Sequence, residues 1–158
     1  MSWKRKRMTP NINEERRISK LDPNIFIDFN SIAKGYMIDL IDKYLSQLGS
    51  ENHLIDIGGE VKATGINPES KKKWKIAIDY PEINFKRKII NVVNIENKAI
   101  ATSGNYRKYK IDSLTGQMYV HLINPLKGLP SKSSILSVSV ISKDCMTADA
   151  FATALMVM

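Results

Sequence analysis

Near its C-terminal end the chain runs Thr147-Ala148-Asp149-Ala150-Phe151-Ala152-Thr153-Ala154-Leu155, a stretch that reads as a helix. It sets one carboxylate and one hydroxyl four residues apart, so both oxygens face the same way. A hard divalent cation such as Mg²⁺ takes oxygen ligands and keeps places for water and phosphate oxygens. Asp149 and Thr153 therefore make a partial cage for one. An Asp four residues before a Thr is also common in helices that hold no metal, and the pair alone leaves plain packing open.

A second segment, Ile27-Asp28-Phe29-Asn30-Ser31-Ile32-Ala33-Lys34-Gly35-Tyr36, ends a strand-like apolar run in small polar residues just before helical periodicity begins. Asp28, Asn30 and Ser31 are good capping residues. Ile38, Leu40, Ile41, Tyr44 and Leu45 follow at spacings of one apolar face, and Gly49 is a natural stop. The spacing predicts a helix from Ser31 to about Leu48. Its free amides and Lys34 in the first turn favour a phosphate; an ordinary capped helix with a solvated Lys34 is the alternative.

Between these helices the pattern is mostly strand. Asn52 to Asp56 leads into the Gly58-Gly59 turn, Glu60 to Gly65 returns, and Trp74 to Tyr80 alternates with Trp74, Ile76 and Ile78 on one face. Ile89 to Ile95 and Ala99 to Thr102 read as a hairpin about Asn97. Tyr106 to Asp112, Gln117 to Leu122 and Ile135 to Ser142 are further strands. Neighbouring strands joined by tight turns predict an α+β fold. Its sheet is largely antiparallel, with one helix after the first strand and one at the C-terminus.

The chain has 158 residues, 43% of them hydrophobic, which suffices for one core. No stretch approaches the roughly 18 uninterrupted apolar residues of a membrane span. No apolar segment follows the basic N-terminus, so no signal peptide is read. Cys145 has no second cysteine to pair with and no lipobox setting, and reads as a small residue at a helix start. The net charge of +8 invites a nucleic-acid reading. Five of those charges lie in the first twenty residues, where Lys4, Arg5, Lys6, Arg7, Arg16, Arg17 and Lys20 face only Glu14 and Glu15. Lys71 to Lys73 and Lys86 to Lys88 fit solvated loop ends. With no recognised motif or interleaved aromatics, specific nucleic-acid binding is not expected.

The blocks IDFNSIAKGYMIDL, LIDIGGEVKATG, AIATSGNYRKY, HLINPLKGLP and SVSVISKDCMTADAFATALMVM resemble, in order and approximate spacing, the FAD:protein FMN transferases, the ApbE-type flavin transferases. The resemblance covers roughly Ile25 to Met158, leaving residues 1–24 as a partly ordered basic leader. It implies Mg²⁺-dependent transfer of FMN from FAD to a Thr or Ser hydroxyl of an acceptor flavoprotein, with release of AMP. It further implies that Asp28, Lys34 and Ile123 contact FAD, and that Ser31, Asp149, Thr153 and the Ala152 carbonyl hold the metal. His121 is implied as the residue associated with activity, and Ala101 to Gly104 as a turn near the same cleft. Pyrophosphate cleavage needs charge neutralised on its oxygens, and a cation, a lysine and helix amides supply that together. A histidine suits proton transfer near neutral pH, although His121 could equally be a packing residue.

Departures from the family pattern mostly remove negative charge. Asn124 stands where an Asp is usual, Asn105 and Arg107 where acids are frequent, and Asn30-Ser31 where two glycines are usual. Family members are roughly double this length, and Thr153 to Met158 ends without a helix cap, so the chain reads as an incomplete copy. Full-length relatives are commonly exported and lipid-anchored. Two other readings stay open: a non-catalytic FAD- or nucleotide-binding remnant of the same fold, and a basic interaction module acting through Met1 to Lys20. His53 reads as strand-edge packing or solvent-exposed, Asp56 and Glu60 receive no role, and Tyr106 and Tyr109 read as core rather than flavin pocket.

Overall fold

Residues 60–64 form a strand whose alternate side chains serve two different layers. Glu60, Lys62 and Thr64 project to one side and Val61 and Ala63 to the other, and all but the half-buried Thr64 are buried. A strand covered on both faces belongs inside a sheet. The computed structural model describes residues 11–12, 14–15, 17–20, 23–24, 27–81, 88–105, 109–111, 118–120, 123–124, 129–130 and 135–158.

Two short strands, β1 (Asn11–Ile12) and β2 (Ile18–Ser19), pair ahead of helix α1 (Ala33–Gln47). There follow β3 (His53–Ile57), β4 (Glu60–Thr64), β5 (Trp74–Asp79), β6 (Ile89–Ile95) and β7 (Lys98–Gly104). Four short strands come next: β8 (Tyr109–Ile111), β9 (Met118–Val120), β10 (Ile123–Asn124) and β11 (Leu129–Pro130). The described residues close with β12 (Ser137–Ser142) and helix α2 (Cys145–Val157). The central sheet has the order β12-β7-β4-β3, and its neighbours are antiparallel throughout. This is the α+β architecture expected from the sequence.

Both helices lie on one face of that sheet. Ile38 of α1, Ile55, Ala99 and Cys145 form the core there, with Ile41, Leu45 and Ile57 against it. Burying Ile38 completely contributes about 2 kcal/mol. Ala101 meets Ala148 and Ala152, small side chains that let α2 approach the sheet closely. The β5-β6 hairpin covers the opposite face, where Trp74, Ile76, Ile78 and Val93 pack on Val61, Ala63, Ile95 and Ile100. At the β3-β4 turn Gly58 and Gly59 have φ of 65° and 99°, a left-handed region that side chains resist.

Several expectations need correction. Helix α1 starts at Ala33, and its N-cap residue Ile32 makes no side-chain capping hydrogen bond. Phe29 instead offers its carbonyl to the Ile32 and Ala33 amides, while Asp28 closes on the Asn30 amide at 2.8 Å. Ile27 and Asp28 form no strand, and Ile25 and Phe26 lie outside the described residues. Ala101 to Gly104 is strand, not turn, because the β12 ladder pairs it through Gly104. Leu40 and Tyr44 are not core. They join Tyr36, Met37 and Leu48 in an exposed apolar stripe beside the buried face. Helical spacing alone could not separate these two adjoining apolar faces. Among the described residues, no helix is long and apolar enough to cross a membrane.

Candidate functional site

The two helices cap one another where they cross. Asp39 of α1 accepts the Cys145 and Met146 amides of the first turn of α2, each at 2.8 Å. Asp149 of α2 accepts the Gly35 amide in the first turn of α1 at 3.1 Å. Each carboxylate thus meets the positive end of the other helix. Asp144, the residue just ahead of α2, caps it through the Thr147 amide, and this hydrogen bonding holds its carboxyl below the usual range. The crossing requires glycine at position 35, since a Cβ there would stand 2.5 Å from the Cys145 carbonyl oxygen.

Lys34 lies beside this contact. Its ammonium meets the Glu60 carboxylate at 2.7 Å, and Glu60 is buried whereas the Lys34 side chain is 47% exposed. Burial pushes the Glu60 carboxyl up, Lys34 pulls it down, and the negative charge of Asp149 adds to the upward push. Burial likewise raises Asp149, against the Gly35 amide and Lys34. Two buried carboxylates around one cation thus leave negative charge incompletely compensated. Among the described residues Asp149 Oδ2 takes the Gly35 bond and Oδ1 takes none.

Thr153 lies one turn beyond Asp149 on α2, and its hydroxyl is 3.2 Å from that of Ser103 on β7. Ala152, next to Thr153 in sequence, is wholly buried against Ala101 and Ala148. Asn105, two residues past Ser103, is buried, and its Oδ1 has no partner among the described residues. This oxygen-rich set suits a hard cation that completes its shell with water or phosphate. No group of three or more His, Cys, Asp or Glu side chains placed to hold a metal occurs among the described residues.

The fold therefore brings Lys34 and Asp149 together, while Ser31 is half-buried two residues ahead of α1. Asp28 is exposed and hydrogen-bonds locally to Asn30. Ile123 is in β10, and His121 lies outside the described residues. Asp56 and Glu60 were assigned no role from sequence, and the two carboxylates have separate partners. Asp56 turns to the exposed Gly59 amide at 3.2 Å, while Glu60 faces the helices. The signal available was phase: Glu60, Lys62 and Thr64 share one side of β4. His53 packs on the edge strand β3, one of the two readings the sequence left open for it, and is not solvent-exposed. Its ring reaches Asp42 of α1 at 2.9 Å and Ser50 at 3.2 Å.

Comparison with known proteins gives a consistent result. The ApbE family model matches residues 2–158, taking in the basic leader as well. The FAD:protein FMN transferase of Vibrio cholerae is 40% identical over 145 residues, covering 92% of this chain and 42% of that protein. The crystal structure of the ApbE protein from Thermotoga maritima superposes with a TM-score of 0.82 at 28% identity, over 94% of this chain and 46% of that one. The flavin transferase ApbE structure from Vibrio cholerae gives 0.74 at 37% identity, over 90% and 43%. The chain thus spans less than half the length of the relatives it matches. With the family pattern running through both helices and the sheet they cover, the chain belongs to the ApbE family.

Proposed function

We propose that the chain carries the cation- and pyrophosphate-handling part of a flavin transferase. The reaction is Mg²⁺-dependent transfer of FMN from FAD to a Thr or Ser hydroxyl of an acceptor flavoprotein, releasing AMP. The observation that carries this is the meeting of Lys34 and Asp149 at the start of α1, joined through Glu60 and the Gly35 amide. Asp149, Thr153, Ser31 and the Ala152 carbonyl would hold the cation. When bound, Mg²⁺ neutralises charge building on the phosphate oxygens.

Lys34 supplies further positive charge to the pyrophosphate, and Asp28 and Ile123 contact the dinucleotide. The acceptor hydroxyl oxygen bonds to the FMN phosphorus as the bond from that phosphorus to the AMP oxygen breaks. His121 takes the hydroxyl proton or returns one to the departing AMP.

The test is incubation with FAD, MgCl₂ and a Thr-containing acceptor peptide, followed by flavin fluorescence in a denaturing gel and assay of AMP. Covalent flavin that disappears with EDTA supports the reading, and absence of any labelled acceptor overturns turnover by this chain. Asn124, standing where the family usually carries an Asp, favours one second reading, FAD binding without turnover. Saturable flavin binding with no AMP release identifies that case.

A further inference from the structure

Glu60 is a buried acid whose one side-chain partner among the described residues is an exposed lysine from another element. Its side chain is 4% exposed and touches Lys34 Nζ at 2.7 Å, whereas 47% of the Lys34 side chain remains open to solvent. The ion pair is therefore lopsided. Its acidic end is fixed in the sheet by β4, and its basic end sits on the first turn of α1 with donors to spare, since an ammonium carries three.

We infer that Glu60 is a positioning residue: it holds the Lys34 ammonium over the first turn of α1, ready for the pyrophosphate of a dinucleotide. This rests on the flavin-transferase reading and adds to it a role for Glu60. A free lysine has four flexible bonds and loses much rotamer freedom when it grips a ligand. A buried acceptor that already fixes the side chain removes part of that cost before the ligand arrives. The same carboxylate also repels phosphate through space, so the two effects predict opposite signs. Positioning requires that loss of the Glu60 charge weaken pyrophosphate binding.

The test compares the unaltered chain with Glu60→Gln, Lys34→Ala and the double variant. FAD, inorganic pyrophosphate and riboflavin binding are measured with Mg²⁺ present, and folding is checked by circular dichroism. Glu60→Gln is expected to weaken FAD and pyrophosphate about tenfold and riboflavin hardly at all. The double variant should match Lys34→Ala alone, because Glu60 acts through Lys34. Amine labelling of Lys34, followed by mass spectrometry without any ligand, should be several-fold faster in Glu60→Gln. Tighter pyrophosphate binding in Glu60→Gln, additive losses in the double variant, or unchanged Lys34 labelling each overturn the inference. If Lys34→Ala itself leaves FAD binding intact, or the unaltered chain binds none, the flavin-transferase reading fails as well.

Discussion

Gly35 donates its amide to Asp149, 114 positions further along the chain, over 3.1 Å. This single bond ties the phosphate-favouring start of α1 to the one carboxylate proposed for the cation. It exists only because the helices touch closely enough for backbone to approach backbone at Gly35.

Gly35→Ala should therefore destabilise the fold. Alanine gains about 1 kcal/mol in helix propensity, but its Cβ would meet Cys145 and Met146 backbone atoms at 2.5–2.7 Å. Backbone cannot swing aside, and overpacking of this kind costs about 1–3 kcal/mol or more. A net loss of up to about 2 kcal/mol in urea denaturation is expected, and a midpoint raised above the parent's would sink the close-crossing account.

Asp149→Asn should stabilise the metal-free protein at neutral pH and remove its response to Mg²⁺. Burial holds the Asp149 carboxyl above its ordinary 3.8, so the folded state keeps the proton longer than the unfolded one. Its contribution is full below that value and is lost as pH rises through the raised one. Glu60, also raised, acts in the same direction from 4.5 upward. Asparagine keeps an acceptor for Gly35 without the charge, so the variant should be the more stable at neutral pH. Denaturation at acid and neutral pH, with and without MgCl₂, checks this. A variant less stable than the parent at neutral pH would contradict it.

The thiol of Cys145 should be inert in the folded protein. It is wholly buried, and burial, with the nearby charges of Asp39, Asp149 and Glu60, pushes it up to about 12. Thiolate is the reactive form, so a disulfide reagent at about pH 8 should label it only at the rate of unfolding. Rapid labelling without denaturant would show that the helix crossing opens.

His53→Ala should cost about 1–3 kcal/mol without altering ligand binding. The ring joins Asp42 on α1 to Ser50 ahead of β3, and Thr64 of β4 shares the same Asp42 oxygen. Its loss leaves half-buried polar groups short of partners. A thermal midpoint equal to that of the parent would make the cluster ornamental, and altered FAD affinity would place it in the site.

What depends on neighbours in sequence was readable before any coordinates. The alternation of Trp74, Ile76 and Ile78, the turn at Gly58-Gly59, and the four-residue step from Asp149 to Thr153 all follow from local geometry, as does the antiparallel α+β class. Three things came only from tertiary contact. Asp149 and Asp39, rather than Asp28 or Ser31, receive helix-end amides across the crossing. Glu60 is buried on Lys34 while Asp56 stays at a turn. Ile38, Ile41 and Leu45 face the sheet while Leu40 and Tyr44 face outward. Periodicity reports which side chains share a side, but a partner more than a hundred residues away decides which side is buried and which charge is paired.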